Sequence, residues 1–144
     1  MKYTCDVIIR KPKDQVASLF HDKRKYHNWM EGLENYEVLE GRFGEEGTIS
    51  KLDFKLKGRD IKMQERVIEN NLPDNYTVEY KSAGVLNIVK NVFEETEYNE
   101  TKYSSINELR FSGIMKLFGF LMPGSFKKTS QKYLEDFKSM VESK

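Results

Sequence analysis

The 144-residue chain has the usual size of one domain and is long enough to bury a core without a metal ion or a disulfide. Charged residues make up 33% of it, but 24 Lys and Arg balance 23 Asp and Glu to a net charge of +1, which removes the electrostatic case for a nucleic-acid partner. The lone cysteine, Cys5, excludes an internal disulfide, and neither it nor His21 or His27 has the spacing of a metal site. No stretch approaches the roughly 20 apolar residues of a membrane span, and the opening residues Met1 to Asp6 lack the apolar run of a secretion signal. The expectation is a cytoplasmic protein organised as one ligand-binding domain over residues 1–144, with no linker, repeat or low-complexity tract dividing it.

Tyr3 to Arg10 reads as a strand: Tyr3, Cys5, Val7 and Ile9 alternate with Thr4, Asp6 and Arg10, and Ile8 breaks the period. Pro12 then opens a helix, where its missing N–H costs nothing. Val16, Leu19 and Phe20 give that helix an apolar face. Asp22 caps a second short helix bearing Tyr26, Trp29 and Met30, and Gly32 stops it. From there strands dominate. Tyr36 to Phe43 is followed by the turn Gly44-Glu45-Glu46-Gly47. Thr48 to Lys57 alternates most cleanly, with Thr48, Ser50, Leu52, Phe54 and Leu56 opposed to Lys51, Asp53, Lys55 and Lys57. Gly58 turns the chain, and Ile61, Met63, Glu65 and Val67 share the next inner face. Asn70 to Asn75, with Pro73, is a turn cluster. Tyr76, Val78, Tyr80 and Ser82 then alternate with Thr77, Glu79 and Lys81, and Gly84 marks another turn. Val85 to Glu97 is strand-like with apolar residues on both sides, so its period leaves the inner face unassigned. Asn99-Glu100 turns into a last strand with Tyr103, Ser105, Asn107, Leu109 and Phe111 facing inward. The remainder, Met115 to Ser143, is helical and about 40 Å long, kinked or interrupted at Pro123. Phe126, Tyr133, Leu134, Phe137 and Val141 form its apolar stripe; Lys127, Lys128, Lys132, Glu135 and Asp136 form its solvated face.

This order predicts an α+β fold: a curved antiparallel sheet of about seven strands, curled by its twist around the one long helix left to cover its apolar face. The inner faces are not purely apolar, since Ser50, Glu65, Ser82, Ser105 and Asn107 fall on them beside Tyr76, Tyr80 and Tyr103. A dry core selects against such groups, at about 1–3 kcal/mol for each one left unpaired. A partly wet cavity with a few directional groups fits the pattern better.

The chain resembles the START-like helix-grip superfamily, also called SRPBCC, over its whole length. The resemblance rests on Lys11-Pro12-Lys13-Asp14-Gln15-Val16 opening the first helix and on Asp22 followed by Trp29. It rests also on Leu39-Glu40-Gly41 leading to Gly47-Thr48, and on the closing Tyr133-Leu134-Glu135-Asp136-Phe137-Lys138. It implies a helix-grip fold, with two short helices after the first strand and a hydrophobic pocket between the sheet and the last helix. It does not imply one reaction, because the superfamily includes lipid-transfer domains, pollen-allergen-type carriers and polyketide cyclase/dehydrase-like proteins. The glycine-rich loop of the allergen-type carriers is reduced here to Gly41, Gly44 and Gly47, so no phosphate or nucleotide role is carried over.

The candidate cavity residues are Leu52, Phe54, Met63, Glu65, Tyr76, Tyr80, Tyr103 and Asn107 from the strands, with Phe118, Met122, Phe126 and Tyr133 from the helical end. Glu65 stands out. Inside a cavity, desolvation would raise its pKa and make it a proton donor or a ligand anchor; a bulge that reversed the parity, or a place at a wet mouth, would make it ordinary. The tyrosines and Asn107 offer polar groups to a ligand, or are core residues whose polar tips meet neighbours. Leu117 to Gly124 is apolar on every side before Pro123 and Gly124 break it, which fits either a buried closure of the pocket or a gate that touches a membrane transiently. No serine or cysteine has a nucleophile motif such as GxSxG.

The leading expectation is a non-catalytic binder of a small hydrophobic molecule, such as a lipid, an isoprenoid or an aromatic metabolite, needing no metal or cofactor. A cyclase- or dehydratase-like enzyme with Glu65 and a tyrosine as acid–base pair is the alternative, and a protein-binding regulator a third. Open edge strands leave the oligomeric state unassigned.

Overall fold

The computed structural model describes residues 1–113 and 123–144. Phe118, Met122 and the apolar run ahead of Pro123 lie outside the described residues. The elements are β1 (Lys2–Ile9), α1 (Lys13–Phe20), a 3-10 turn (Lys23–Lys25), α2 (Tyr26–Trp29), β2 (Leu33–Glu40), β3 (Ile49–Leu56), β4 (Arg59–Asn71), β5 (Asn75–Ser82), β6 (Val85–Glu95), β7 (Thr101–Phe111) and α3 (Pro123–Glu142). The strands form one antiparallel seven-stranded sheet in the order β1-β7-β6-β5-β4-β3-β2. β2 to β7 run as a meander, and the two short helices carry the chain from β1 at one edge to β2 at the other. The fold class and the two short helices after β1 agree with the sequence reading; the last helix is described from Pro123 onward, and the expected helical stretch ahead of it lies outside the described residues.

Local chemistry sets the helix starts. Pro12 is extended (φ −61°, ψ 151°), and its carbonyl accepts from Val16 N at 3.0 Å. Asp22 accepts from Arg24 N at 3.0 Å, which satisfies one of the free amides of the 3-10 turn. β4 runs on to Asn71 in the expected turn, and β6 stops at Glu95. β2 is the strand whose limits differ most from expectation: it begins at Leu33 and stops at Glu40, not at Tyr36 and Phe43. Its pairing with β3 shifts register between Leu33 and Asn35 and again between Val38 and Glu40. Each irregularity breaks the two-residue period by which a strand is recognised. The pairing also settles the face of β6: Asn87, Val89 and Asn91 stand opposite Tyr80, Val78 and Tyr76, and Phe93 stands opposite Tyr103.

The core lies where α1, α2 and the C-terminal half of α3 meet the concave face. Phe20 is its hub, with ring centroids 5.1 Å from Phe93, 5.8 Å from Phe137 and Tyr103, and 5.9 Å from Trp29 and Tyr76. Leu134, Phe137, Met140 and Val141 supply the buried stripe of α3. The N-terminal half of α3 runs beside β1. Tyr3 Oη lies 2.7 Å from Ser130 Oγ, Cys5 Sγ lies 3.6 Å from the Lys127 carbonyl, and Gln131 Nε2 donates to the Asp6 carbonyl at 3.1 Å. The helix thus packs chiefly against β1, α1 and α2, which leaves the inner face of β3–β5 to one side of it.

Candidate functional site

On that side a polar row crosses the concave face. Strand pairing sets Ser50 opposite Glu65, Glu65 opposite Tyr80 and Tyr80 opposite Asn87, on four consecutive strands. Residues paired in this way put their side chains on one face, within reach of each other. The expected inward parity of Glu65 is observed, because β4 pairs without a bulge until Val67. Glu65 is only 4% exposed. The Tyr36 hydroxyl reaches across β3 and donates to Glu65 Oε1 at 2.7 Å.

Burial pushes the Glu65 carboxyl above its ordinary range, against the pull of the Tyr36 and Tyr80 hydroxyls, which favour its charged form. Burial and the nearby carboxylate together push Tyr36, Tyr76, Tyr80 and Tyr26 upward, so these phenols stay protonated and act as donors. Two buried polar atoms in the row meet no hydrogen-bond partner among the described residues: Ser50 Oγ and Asn87 Oδ1. Ser50 lies near enough to the Tyr36 phenol to ease its ionisation, but without the geometry of a hydrogen bond. Unsatisfied groups of this kind are rare in a closed core. Tyr80 in the row, and Ile61, Met63, Ser82 and Val89 beyond it, are only half-buried although they point inward.

A raised carboxyl has a stability consequence. The folded state holds the Glu65 proton more tightly than the unfolded chain does, so stability declines as pH climbs from the ordinary carboxylate range through the raised pKa, and then levels off. Glu65→Gln is expected to remove that decline. Urea unfolding should show variant and wild type alike near pH 4 and the variant more stable at pH 7.5, by about 1.4 kcal/mol for each unit of elevation. A difference that is the same at both pH values would contradict this account.

The other anticipated residues separate into two groups. Leu52, at 1% exposure, and Phe54, at 5%, line the inner face of β3, and Met63 stands opposite Leu52. Phe126, half-buried near the start of α3, meets Phe111 at 5.4 Å between ring centroids, and Tyr133 is also half-buried. Tyr76, Tyr103 and Asn107, by contrast, are committed within the protein. Tyr76 packs on Phe20, Tyr103 Oη donates to Asn91 Oδ1 at 2.7 Å, and Asn107 Nδ2 donates to Ser105 at 3.1–3.2 Å. Asn87 and Ser50 in the row, and Tyr36 which reaches it, were not among the anticipated cavity residues, although Ser50 was expected on the inner face. His21, far from the inner strands in sequence, stacks on Phe43 at 4.6 Å and meets Tyr76 at 5.4 Å, and burial holds its pKa down. His27 is exposed, as are Lys127, Lys128 and Lys132.

An open cleft of about 720 Å³ lies elsewhere, at the sheet end around the Ala83–Gly84 turn, lined by Met63, Leu86, Phe111, Lys62, Lys81 and Arg110 among others. It does not include Glu65. Among the described residues no cluster of three potential metal ligands occurs, and no helix is long and apolar enough to cross a membrane.

No protein-family model matches the sequence, and no curated protein matches it either. Solved structures do. A conserved protein from Geobacillus kaustophilus superposes with a TM-score of 0.81 at 12% identity, covering 99% of this chain and 96% of that one. A START superfamily protein from Mycobacterium smegmatis gives 0.80 at 10% identity, covering 99% and 97%. Ara h 8.0201 gives 0.79 at 14% identity, covering 100% and 99%. At these identities the likeness is one of architecture, and it extends from end to end: the chain has the START-like helix-grip fold.

Proposed function

We propose that the protein binds a small, largely apolar molecule on the concave face between the sheet and α3, as one domain over residues 1–144, with Glu65 and its tyrosines as the polar anchor. One observation carries the reading: a buried carboxyl held by Tyr36 shares a cross-strand row with two unsatisfied polar atoms, beside inward-pointing side chains that are only half-buried. That is how a ligand site is built, with apolar walls and a few directional groups. Leu52, Phe54, Met63 and Val89 supply the walls. Removing apolar ligand surface from water there would contribute about 25 cal/mol per Å², and the polar row would set orientation.

Uptake of the fluorescent apolar probe N-phenyl-1-naphthylamine, with native mass spectrometry for a co-purified molecule, tests this. Saturable uptake at one site, weakened by Met63→Trp filling the space, is the expected result. Absence of both uptake and bound mass removes the proposal.

The 2.7 Å contact between Tyr36 and Glu65 favours a second reading, in which the pair moves a proton during a cyclisation or dehydration. Glu65→Gln separates the two. A carrier keeps its ligand with at most a modest change in affinity, whereas an enzyme keeps binding and loses most of its turnover.

A further inference from the structure

The chemistry of the polar row also constrains what it can hold, a step that rests on the binding role proposed above. We infer that the ligand is an apolar molecule that presents an O–H or N–H donor to the row and carries no anionic group.

The row is rich in acceptors. Asn87 Oδ1 can only accept, and it is buried with no partner among the described residues. Ser50 Oγ, at the other end of the row, is also buried and unpaired, and its hydroxyl can accept as well as donate. Glu65 Oε1 accepts from Tyr36 and the Tyr80 hydroxyl also favours the charged carboxyl, yet its two oxygens carry more lone pairs than these two donors fill. A hydroxyl or amine hydrogen satisfies such atoms, whereas a carboxylate or phosphate adds further acceptors.

Charge points the same way. The ionisable groups that face Glu65 are tyrosines: Tyr36 from β2, Tyr76 and Tyr80 from β5, and Tyr26 from α2. Among the described inward positions of β2–β7 the one Lys, Arg or His is Arg59, exposed at the first residue of β4 and six residues along that strand from Glu65, a distance of roughly 20 Å. Arg66, beside Glu65 in sequence, pairs with Glu79 at 3.4 Å on the opposite face of the sheet. Lys51, Lys62, Lys81 and Arg110 alternate to that face as well. Three of them already pair there, Lys51 with Asp53 at 3.7 Å, Lys81 with Glu79 at 3.8 Å and Arg110 with Glu108 at 3.2 Å. An anion placed in the row would therefore lie desolvated and uncompensated, next to a carboxyl that carries the same charge when ionised.

The test is displacement of bound N-phenyl-1-naphthylamine at pH 7.5 by dodecan-1-ol and by dodecanoate, two amphiphiles with the same chain length and different heads. The alcohol is expected to compete at a concentration lower by about tenfold or more. Glu65→Gln, which keeps the shape and removes the like charge, is expected to narrow that gap by about threefold or more. Dodecanoate competing as well as the alcohol would overturn the inference, and so would an unchanged ratio in the variant. If the protein takes up the probe, these outcomes concern the ligand class alone. If it takes up no probe and native mass spectrometry shows neither amphiphile bound, the binding role falls and the class with it.

Discussion

Phe137→Ala is expected to destabilise the protein by about 3–5 kcal/mol, a large part of the roughly 5–15 kcal/mol that holds a domain of this kind folded. The Phe137 ring has 0% exposure and stands 4.9 Å from Trp29, 5.5 Å from Tyr103 and 5.8 Å from Phe20. Its ring thus meets α1, α2 and the sheet together. Removing it leaves a cavity at the junction of four elements, each fixed by the others, so little collapse can refill the space. Phe126→Ala is the matched control: that ring is half-buried and meets Phe111, so its loss is expected to be about a third as large. Denaturant midpoints of the two variants measure this. Equal and small losses would mean that α3 is not anchored through its C-terminal half.

The second large effect is expected at Gly32, where α2 gives way to β2. Its φ is +80°, and a Cβ built there would lie 2.5 Å from the Lys55 carbonyl oxygen. Gly32 O also accepts from Lys55 N at 2.8 Å, so the two backbones are tied together and cannot part without losing that bond. Gly32→Ala therefore combines left-handed strain with a backbone collision, at about 3 kcal/mol. Gly47→Ala separates the two terms. Its φ is +86°, but nothing lies within 4 Å of the added carbon, so only the conformational cost of about 1 kcal/mol is expected. Thermal unfolding of both variants measures the difference; equal losses would show that the close approach of Gly32 to β3 contributes nothing.

How much of the site was readable depends on the strand that carries each residue. Glu65 was readable because β4 keeps its two-residue period through residues 61–67, so one inward neighbour fixes the next. Ser50 was readable for the same reason on β3. Tyr36 was not, because β2 shifts register on both sides of it, and its hydroxyl finds Glu65 only once β3 lies between them. Asn87 was not, because Leu86, Ile88 and Val92 make β6 apolar on its outer side too, and only its pairing with β5 chooses a face. Tyr103 and Asn107 were correctly placed as inward-facing, yet their polar ends meet Asn91 and Ser105, a fact about neighbours that no period contains.

The sequence by itself determined the number and order of most elements, the inward face of β1, β3, β4, β5 and β7, and the stripe of the last helix. These follow from side-chain alternation and helical periodicity, which are local and repeat at every turn or residue pair. Only the tertiary structure decided which inward polar groups meet. Hydrogen bonds between Tyr36 and Glu65, or Tyr103 and Asn91, depend on strand register and on the bend of the sheet, and these are set by contacts between residues far apart in the chain. The same long-range packing seats α3 along β1, leaving the Glu65 row on the concave face beside the helix.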